Sequence, residues 1–264
     1  MLPYPKINPY IIEIGRFKVK WYGTMYVLGF LAAYFLVGRQ HRARHLGLQG
    51  AQLRSLMYSL VIGLIAGARL GYIVFYQYAN YSYFLQHPVE IIAIWHGGMS
   101  YHGGLIGSVL ACILFCRQNR LPFWDVADVV IVTVPVGLFL GRVGNFINGE
   151  LFGRPSTLPW AMVFPAGGPE PRHPSQLYEA ALEGVILFTV LWILKDRNFR
   201  PGSMFCLFFL GYGFFRFFIE FFRQPDPHIG LFWGIFSIGQ ILCFGMIITA
   251  AILWKLLPQE SRVH

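Results

Sequence analysis

The sequence predicts an all-α polytopic membrane protein, with seven transmembrane helices and a small external cap between spans four and five. Of its 264 residues, 56% are hydrophobic and only 12% are charged, against about 25% charged in an average soluble domain. Mean hydropathy is +0.53, and so few polar groups cannot cover an aqueous globule. Apolar stretches of about 18–25 residues recur along the chain, the length that crosses about 30 Å of hydrocarbon as a helix. The longest interruption of that pattern, residues 147–176, is rich in glycine and proline.

The spans fall near 21–38, 55–78, 98–116, 126–146, 177–194, 203–222 and 231–254. The N-terminal Met-Leu-Pro-Tyr-Pro-Lys lacks the basic region and adjoining apolar core of a secretory signal, so the first span, from Trp21, is expected to be retained. Residues 77–97 are aromatic and uncharged except for Glu90, which suits a loop lying along the membrane interface. Within 147–176 come Arg154-Pro155, Leu158-Pro159, Phe164-Pro165 and Gly168-Pro169-Glu170-Pro171. Proline removes N–H donors and breaks helices, so this segment is expected to fold as turns and short strands. It is too short for an independent domain, and residues 1–264 read as one integral membrane domain carrying it as an insertion.

Orientation follows the basic residues, which flank spans on the cytoplasmic side. Eleven fall in one set of loops: Arg39, Arg42, Arg44, Arg54, Arg117, Arg120, Lys195, Arg197, Arg200, Lys255 and Arg262. Seven fall in the other: Lys6, Arg16, Lys18, Lys20, Arg154, Arg172 and Arg223. The N-terminus is then outside and the C-terminus inside. Of the 21 Lys and Arg, three remain within spans: Arg69, Arg142 and Arg216. The formal charge of +9 suits loops facing an anionic leaflet, and no basic patch is interleaved with aromatics for base stacking, so nucleic acid is not expected as a partner. Cys112, Cys116, Cys206 and Cys243 all lie in apolar runs without metal-ligand spacing and read as small buried side chains.

An arginine at a helix centre costs about 2.5–3.5 kcal/mol on insertion scales, so each needs a partner or a polar cavity. Arg216 has Glu220 four residues on, sharing a helical face with Tyr212, and that pair alone could be structural. Arg142 has no carboxylate three or four residues away. It lies in Gly141-Arg142-Val143-Gly144-Asn145-Phe146-Ile147-Asn148-Gly149-Glu150, where glycines leave room for a ligand and guanidinium suits bidentate phosphate contact. Anion binding is the favoured reading over internal pairing. His102, in Gly97-Gly98-Met99-Ser100-Tyr101-His102-Gly103-Gly104, is flanked by glycines at the outer start of span three. The imidazole of an unperturbed histidine suits proton removal at neutral pH, although interfacial histidines also serve as amphipathic filler. His96 and His102 lack metal-ligand spacing, Ser100 is not in a nucleophile elbow, and no covalent nucleophile presents itself.

The run Gly141 to Gly153 resembles without departure the G-R-x-G-N-F-x-N-x-E-x-x-G signature of prolipoprotein diacylglyceryl transferases. Further matches are Tyr22-Gly-Thr-Met-Tyr26, Gly67-Ala-Arg69-Leu-Gly71, Gly97 through the residue after Gly104, Arg172-His-Pro-Ser-Gln-Leu-Tyr-Glu179, and Tyr212 through Arg223-Gln-Pro-Asp226, so they cover nearly the whole chain. The resemblance implies transfer of diacylglycerol from phosphatidylglycerol to the lipobox cysteine of a prelipoprotein, with thioether formation and release of glycerol phosphate. It implies a bacterial inner membrane location, membrane lipids and a signal peptide as partners, and neither metal nor cofactor. The nucleophile would belong to the substrate. His102 would be the base, and Arg142 and Arg216 would bind the phosphate. Tyr26, Asn145, Glu150, Gly153, Tyr212 and Glu220 fall on family positions linked to activity or site structure. Of these, Glu150 and Glu220 are expected to orient the arginines and Gly153 to permit a tight turn. Asp128 also matches, with a structural task expected from its depth; Arg69 matches without an evident role.

Two other classes compete. A transporter or anion channel would also hold arginines in a polar cavity, but the internal repeats expected of many transporters are missing from the sequence. A metal-dependent phosphatidyltransferase would need clustered aspartates, and Asp125 with Asp128 are too few.

Overall fold

The computed structural model describes residues 2–5, 7–15, 17–43, 46–224 and 236–257. Several residues used above lie outside them: Lys6, Arg16, Arg44 and Arg262, Pro225 and Asp226, and the first residues of the seventh span, 231–235. The described residues are mostly helical, and among them five apolar helical stretches are long enough to cross a membrane: Trp21–Gln40, Gly50–Tyr76, Phe123–Asn148, Ser175–Leu194 and Ile238–Leu256. Shorter helices join them. In chain order the long elements are α1 (Trp21–Ala43), α2 (Gly50–Tyr76), α3 (Tyr101–Asn119), α4 (Phe123–Ile131), α5 (Val134–Asn148), α6 (Ser175–Leu194), α7 (Ser203–Ile219) and α8 (Ile238–Leu256).

Two expectations change. The chain is not purely helical, because an antiparallel hairpin, β1 (Tyr10–Ile14) and β2 (Phe17–Lys20), precedes α1. Its strands are rich in Ile, Val, Tyr and Phe, and Gly15 at the turn has φ +57°, a strand–glycine–strand signal that the helical periodicity overshadowed. The fourth span is also not one continuous helix. Pro135 in the first turn of α5 lacks an N–H and excludes an uninterrupted ladder back to α4. Thr133 bridges the break by donating from both N and Oγ1 to Val130 O, at 3.0 and 2.7 Å.

Contacts group into two compact units, one of residues 1–37 and 128–264, the other of 38–127. In the second, α2 and α3 approach with backbones almost touching. A Cβ on Gly103 would lie 2.3 Å from Gly67 O, and one on Gly107 would lie 2.1 Å from Gly63 O. Small residues allow this where apolar lipid gives no hydrophobic drive and van der Waals packing must hold helices together. Arg69 is buried on α2 and donates to four backbone carbonyls, those of Glu90, Ile91, Gly97 and Gly98. Its unexplained intramembrane charge therefore holds the loop leading to His102. Ser100 N bonds Ala68 O at 2.8 Å and Ser100 Oγ caps α3 through Gly103 N.

In the first unit, α5, α6 and α7 surround a core that includes Val132, Leu187, Leu191, Met204 and Phe208. Asp128 takes the structural task expected of it. Its carboxylate accepts from Gly202 N at 3.0 Å and Phe205 N at 2.9 Å, satisfying the first turn of α7, whose own cap position is a glycine. The segment 147–176 is held by turns and isolated bridges rather than strands, with Pro155 and Met162 each paired to Arg172 and Gly153 paired to Arg223. All four cysteines are free and buried.

Candidate active site

Glu179 is the centre of the site. It lies on α6 immediately before a π-helical segment, Ala180–Ile186, that widens the turn and brings Glu183 to the same side. Both carboxylates are fully buried. Glu179 Oε2 is 2.7 Å from Arg142 Nε on α5 and 2.7 Å from Arg216 Nη1 on α7. Its Oε1 is 3.2 Å from Arg223 Nη1. Two helices, α5 and α7, and the bridge residue just beyond α7 thus present guanidiniums to one carboxylate.

The network extends outward from each arginine. Arg216 Nη2 is 3.2 Å from Glu220 Oε2, the pair expected from their spacing. Arg142 Nη1 donates to Asn145 Oδ1 at 3.3 Å, Asn145 Nδ2 donates to Glu150 Oε1 at 2.9 Å, and Asn148 Nδ2 donates to the same oxygen. Glu220 therefore orients Arg216 directly, whereas Glu150 acts on Arg142 through Asn145. Gln176 Nε2 fixes the Glu150 carbonyl at 2.6 Å, tying the end of α5 to the start of α6. A cleft of about 680 Å³, lined in part by Lys18, Lys20, Tyr22, Asn148 and Glu150, opens beside this network.

Arg142 thus has a carboxylate partner, one far away in sequence rather than one helical turn away. Its side chain nevertheless keeps 19% exposure and that of Arg216 keeps 14%, while Glu179 has none. The two arginine side chains thus keep more exposure than the Glu179 carboxylate that pairs them, and guanidiniums so held are suited to receiving an anion. Among the described residues no group of three His, Cys, Asp or Glu side chains is placed to hold a metal.

The prolipoprotein diacylglyceryl transferase family profile matches residues 9–256. The phosphatidylglycerol–prolipoprotein diacylglyceryl transferase of Geobacter sulfurreducens is 49% identical over 94% of this chain and 94% of its own length. Those of Desulfotalea psychrophila and Vibrio vulnificus are each 49% identical, covering 95% and 94% of this chain and 93% and 90% of their own. The chain belongs to the prolipoprotein diacylglyceryl transferase family. It is accordingly an enzyme, a multi-pass membrane transferase of lipoprotein biosynthesis.

The remaining expected positions of the transferase are placed as follows. Tyr212 is buried on α7, stacked on Phe208. Tyr26 is exposed on α1, with its hydroxyl 3.0 Å from that of Tyr22. Gly153 has no unusual backbone angle, and the tight turn falls instead at Gly149 (φ +66°) and Leu151 (φ +57°). Glycine is required at 153 by crowding, since a Cβ would lie 2.3 Å from Phe222 O and 2.7 Å from His173 Cβ. His102 is exposed in the first turn of α3 and belongs to the other compact unit.

Sequence reasoning gave no role to Glu179, Glu183 or Arg223. A signal existed: two glutamates four residues apart inside an apolar span are as costly there as the arginines.

Proposed function

We propose that this transferase moves the diacylglyceryl group of phosphatidylglycerol to the lipobox cysteine of a prelipoprotein, with Arg142 and Arg216 holding the lipid phosphate. The observation that carries this reading is the pair of partly exposed arginine side chains whose guanidiniums are fixed on the same oxygen of buried Glu179. The names of its relatives supply the two substrates.

A free thiol has a pKa near 8.5, so a base raises the thiolate fraction at neutral pH. His102 accepts the thiol proton. The sulfur then forms a bond to the glycerol carbon that bears the phosphate, the carbon–oxygen bond breaks, and its electrons leave on glycerol phosphate. Charge grows on the phosphate as that bond breaks, and Arg142 and Arg216 stabilise it while fixing the head group. Asn145, Glu150 and Glu220 keep the arginines in place, Tyr212 packs the α7 face that carries Arg216, Tyr26 lies on the substrate side, and Gly153 keeps the cap close. No metal or cofactor enters.

We infer seven spans, α1, α2, α3, α4 with α5, α6, α7 and α8, with the N-terminus and the 147–176 cap in the periplasm, a reading supported by the bias of basic residues to one set of loops. The C-terminus is cytoplasmic, in the inner membrane, and the whole chain works as one integral domain. Signal peptides present their cysteine on the periplasmic side.

The test uses purified protein, phosphatidylglycerol and a lipobox peptide in the presence of EDTA. Thioether product is expected with the unaltered protein, and none with His102→Ala, Arg142→Ala or a Cys→Ser peptide. Loss of product in EDTA, or its persistence in either variant, would refute the mechanism. Anion exchange across proteoliposomes without peptide modification would favour transport instead.

A further inference from the structure

Glu183 is the least explained titratable group in the site. It is fully buried, and neither of its carboxyl oxygens has a hydrogen-bond partner among the described residues. Its ion-pair contact, with Arg216 Nη1, is 3.7 Å long, against 2.7 Å from that same nitrogen to Glu179. Buried ion pairs are often replaceable by apolar side chains without loss of stability, so stability alone does not account for two carboxylates beneath the arginines.

Their position supplies another account, one that rests on the phosphate-binding reading above. The substrate phosphodiester carries one negative charge, whereas the phosphate monoester released carries about 1.5–2 at neutral pH. An arginine pair with nothing behind it would therefore hold the product more tightly than the substrate. Here the partly exposed side chains of Arg142 and Arg216 are backed by the fully buried carboxyl groups of Glu179 and Glu183. An anion on the open side meets the arginines first, with both carboxylates opposing it from behind, and the opposition doubles with its charge.

We propose that Glu179 and Glu183 form an internal counter-anion floor that promotes product release, weakening the arginines' hold on glycerol phosphate more than on phosphatidylglycerol. They are positioning residues, acting on the phosphate through Arg142 and Arg216. Glu179 also keeps the two guanidiniums together when no phosphate is bound.

The experiment measures inhibition of thioether formation by added racemic glycerol 1-phosphate, with inorganic phosphate as a second probe, for the unaltered protein, Glu179→Gln and Glu183→Gln. Folding is checked by thermal unfolding in detergent. The expected result is an inhibition constant at least tenfold tighter in Glu179→Gln and at least threefold tighter in Glu183→Gln, with a fast first turnover followed by slower steady state. Should Glu179→Gln not fold, Glu183→Gln decides, since its side chain leaves no bonded partner behind. Folded, active variants whose inhibition constants stay within twofold of the unaltered protein overturn the inference, because a merely structural role would lower stability and leave inhibition unchanged. Failure of the unaltered protein to form thioether overturns the phosphate-binding reading along with it.

Discussion

Replacing Arg216 by lysine keeps the positive charge and removes the fork. In the structure one Arg216 side chain serves Glu179 through Nη1 at 2.7 Å and Glu220 through Nη2 at 3.2 Å. A lysine ammonium is a single point on a flexible stem and cannot span both carboxylates while presenting a planar edge to phosphate. At least one charge-assisted hydrogen bond is lost, a loss of about 1.5–3 kcal/mol. At 1.36 kcal/mol per factor of ten, kcat/KM should fall by about 10- to 150-fold. Most of the loss should appear in kcat, because charge on the phosphate is greatest as the carbon–oxygen bond breaks. The assay is the initial rate of thioether formation with varied phosphatidylglycerol and saturating peptide, normalised to folded protein. A folded Arg216→Lys protein with kcat/KM within twofold of the unaltered one would refute the argument that two-pronged contact at this position matters.

Asp128→Ala leaves the N–H groups of Gly202 and Phe205 without their acceptor and should destabilise the protein by about 2–4 kcal/mol, read as a lower unfolding temperature; an unchanged midpoint contradicts the capping role. Gly103→Ala pushes a methyl to 2.3 Å from Gly67 O, and overpacking of about 1–3 kcal/mol should lower the same midpoint. Gly239→Ala would bring a Cβ within 2.7 Å of Glu220 Oε1. The flexible glutamate yields at little loss of stability but shifts away from Arg216, so the rate should fall about fivefold, a loss of about 1 kcal/mol; full activity would show that Glu220 is dispensable. In the cap, Trp160 Nε1 donates to the Tyr178 hydroxyl, which lies 3.1 Å from His173 Nδ1. Burial pushes the His173 imidazole below its ordinary 6.5, so the unfolded chain takes up its proton first as pH falls. The contribution is intact above about pH 6.5 and is lost as pH drops through the folded pKa, so His173→Gln should flatten the fall in unfolding temperature between pH 7.5 and 5. Superimposable profiles would exclude His173 as the source.

Helical spans were legible because composition and apolar length carry most of the information a bilayer demands. The break before Pro135 went unread because the surrounding apolar run gives 126–146 the length and composition of one span. Within the site, spacing exposed Arg216 with Glu220, and a local motif exposed Arg142, Asn145 and Glu150. Local spacing could not show that Arg142 meets Glu179, 37 residues ahead by sequence number, because that contact depends on how α5 and α6 pack. Arg69 shows the same limit. Its acceptors are backbone carbonyls of a loop, and any sequence supplies carbonyls, so no residue type announces them.

The pairing of Arg142 with Glu179 looks at first like the structural alternative to anion binding, and the energetics show why the two are compatible. An arginine kept in a span without a partner is costly before substrate arrives, and Glu179 removes that penalty at 2.7 Å from both guanidiniums. Distance then decides what the phosphate feels. At an effective dielectric of 20, a unit charge about 4 Å from a guanidinium gains on the order of 4 kcal/mol, and one about 8 Å from a carboxylate loses about half as much. The nearer arginines dominate, so charge developing on the leaving phosphate is still stabilised, while the carboxylates behind reduce the grip. A lipid substrate is already concentrated in the same bilayer, and tight ground-state binding would lower KM without raising kcat. An arginine pair held by an internal anion is therefore better suited to turnover than a bare one.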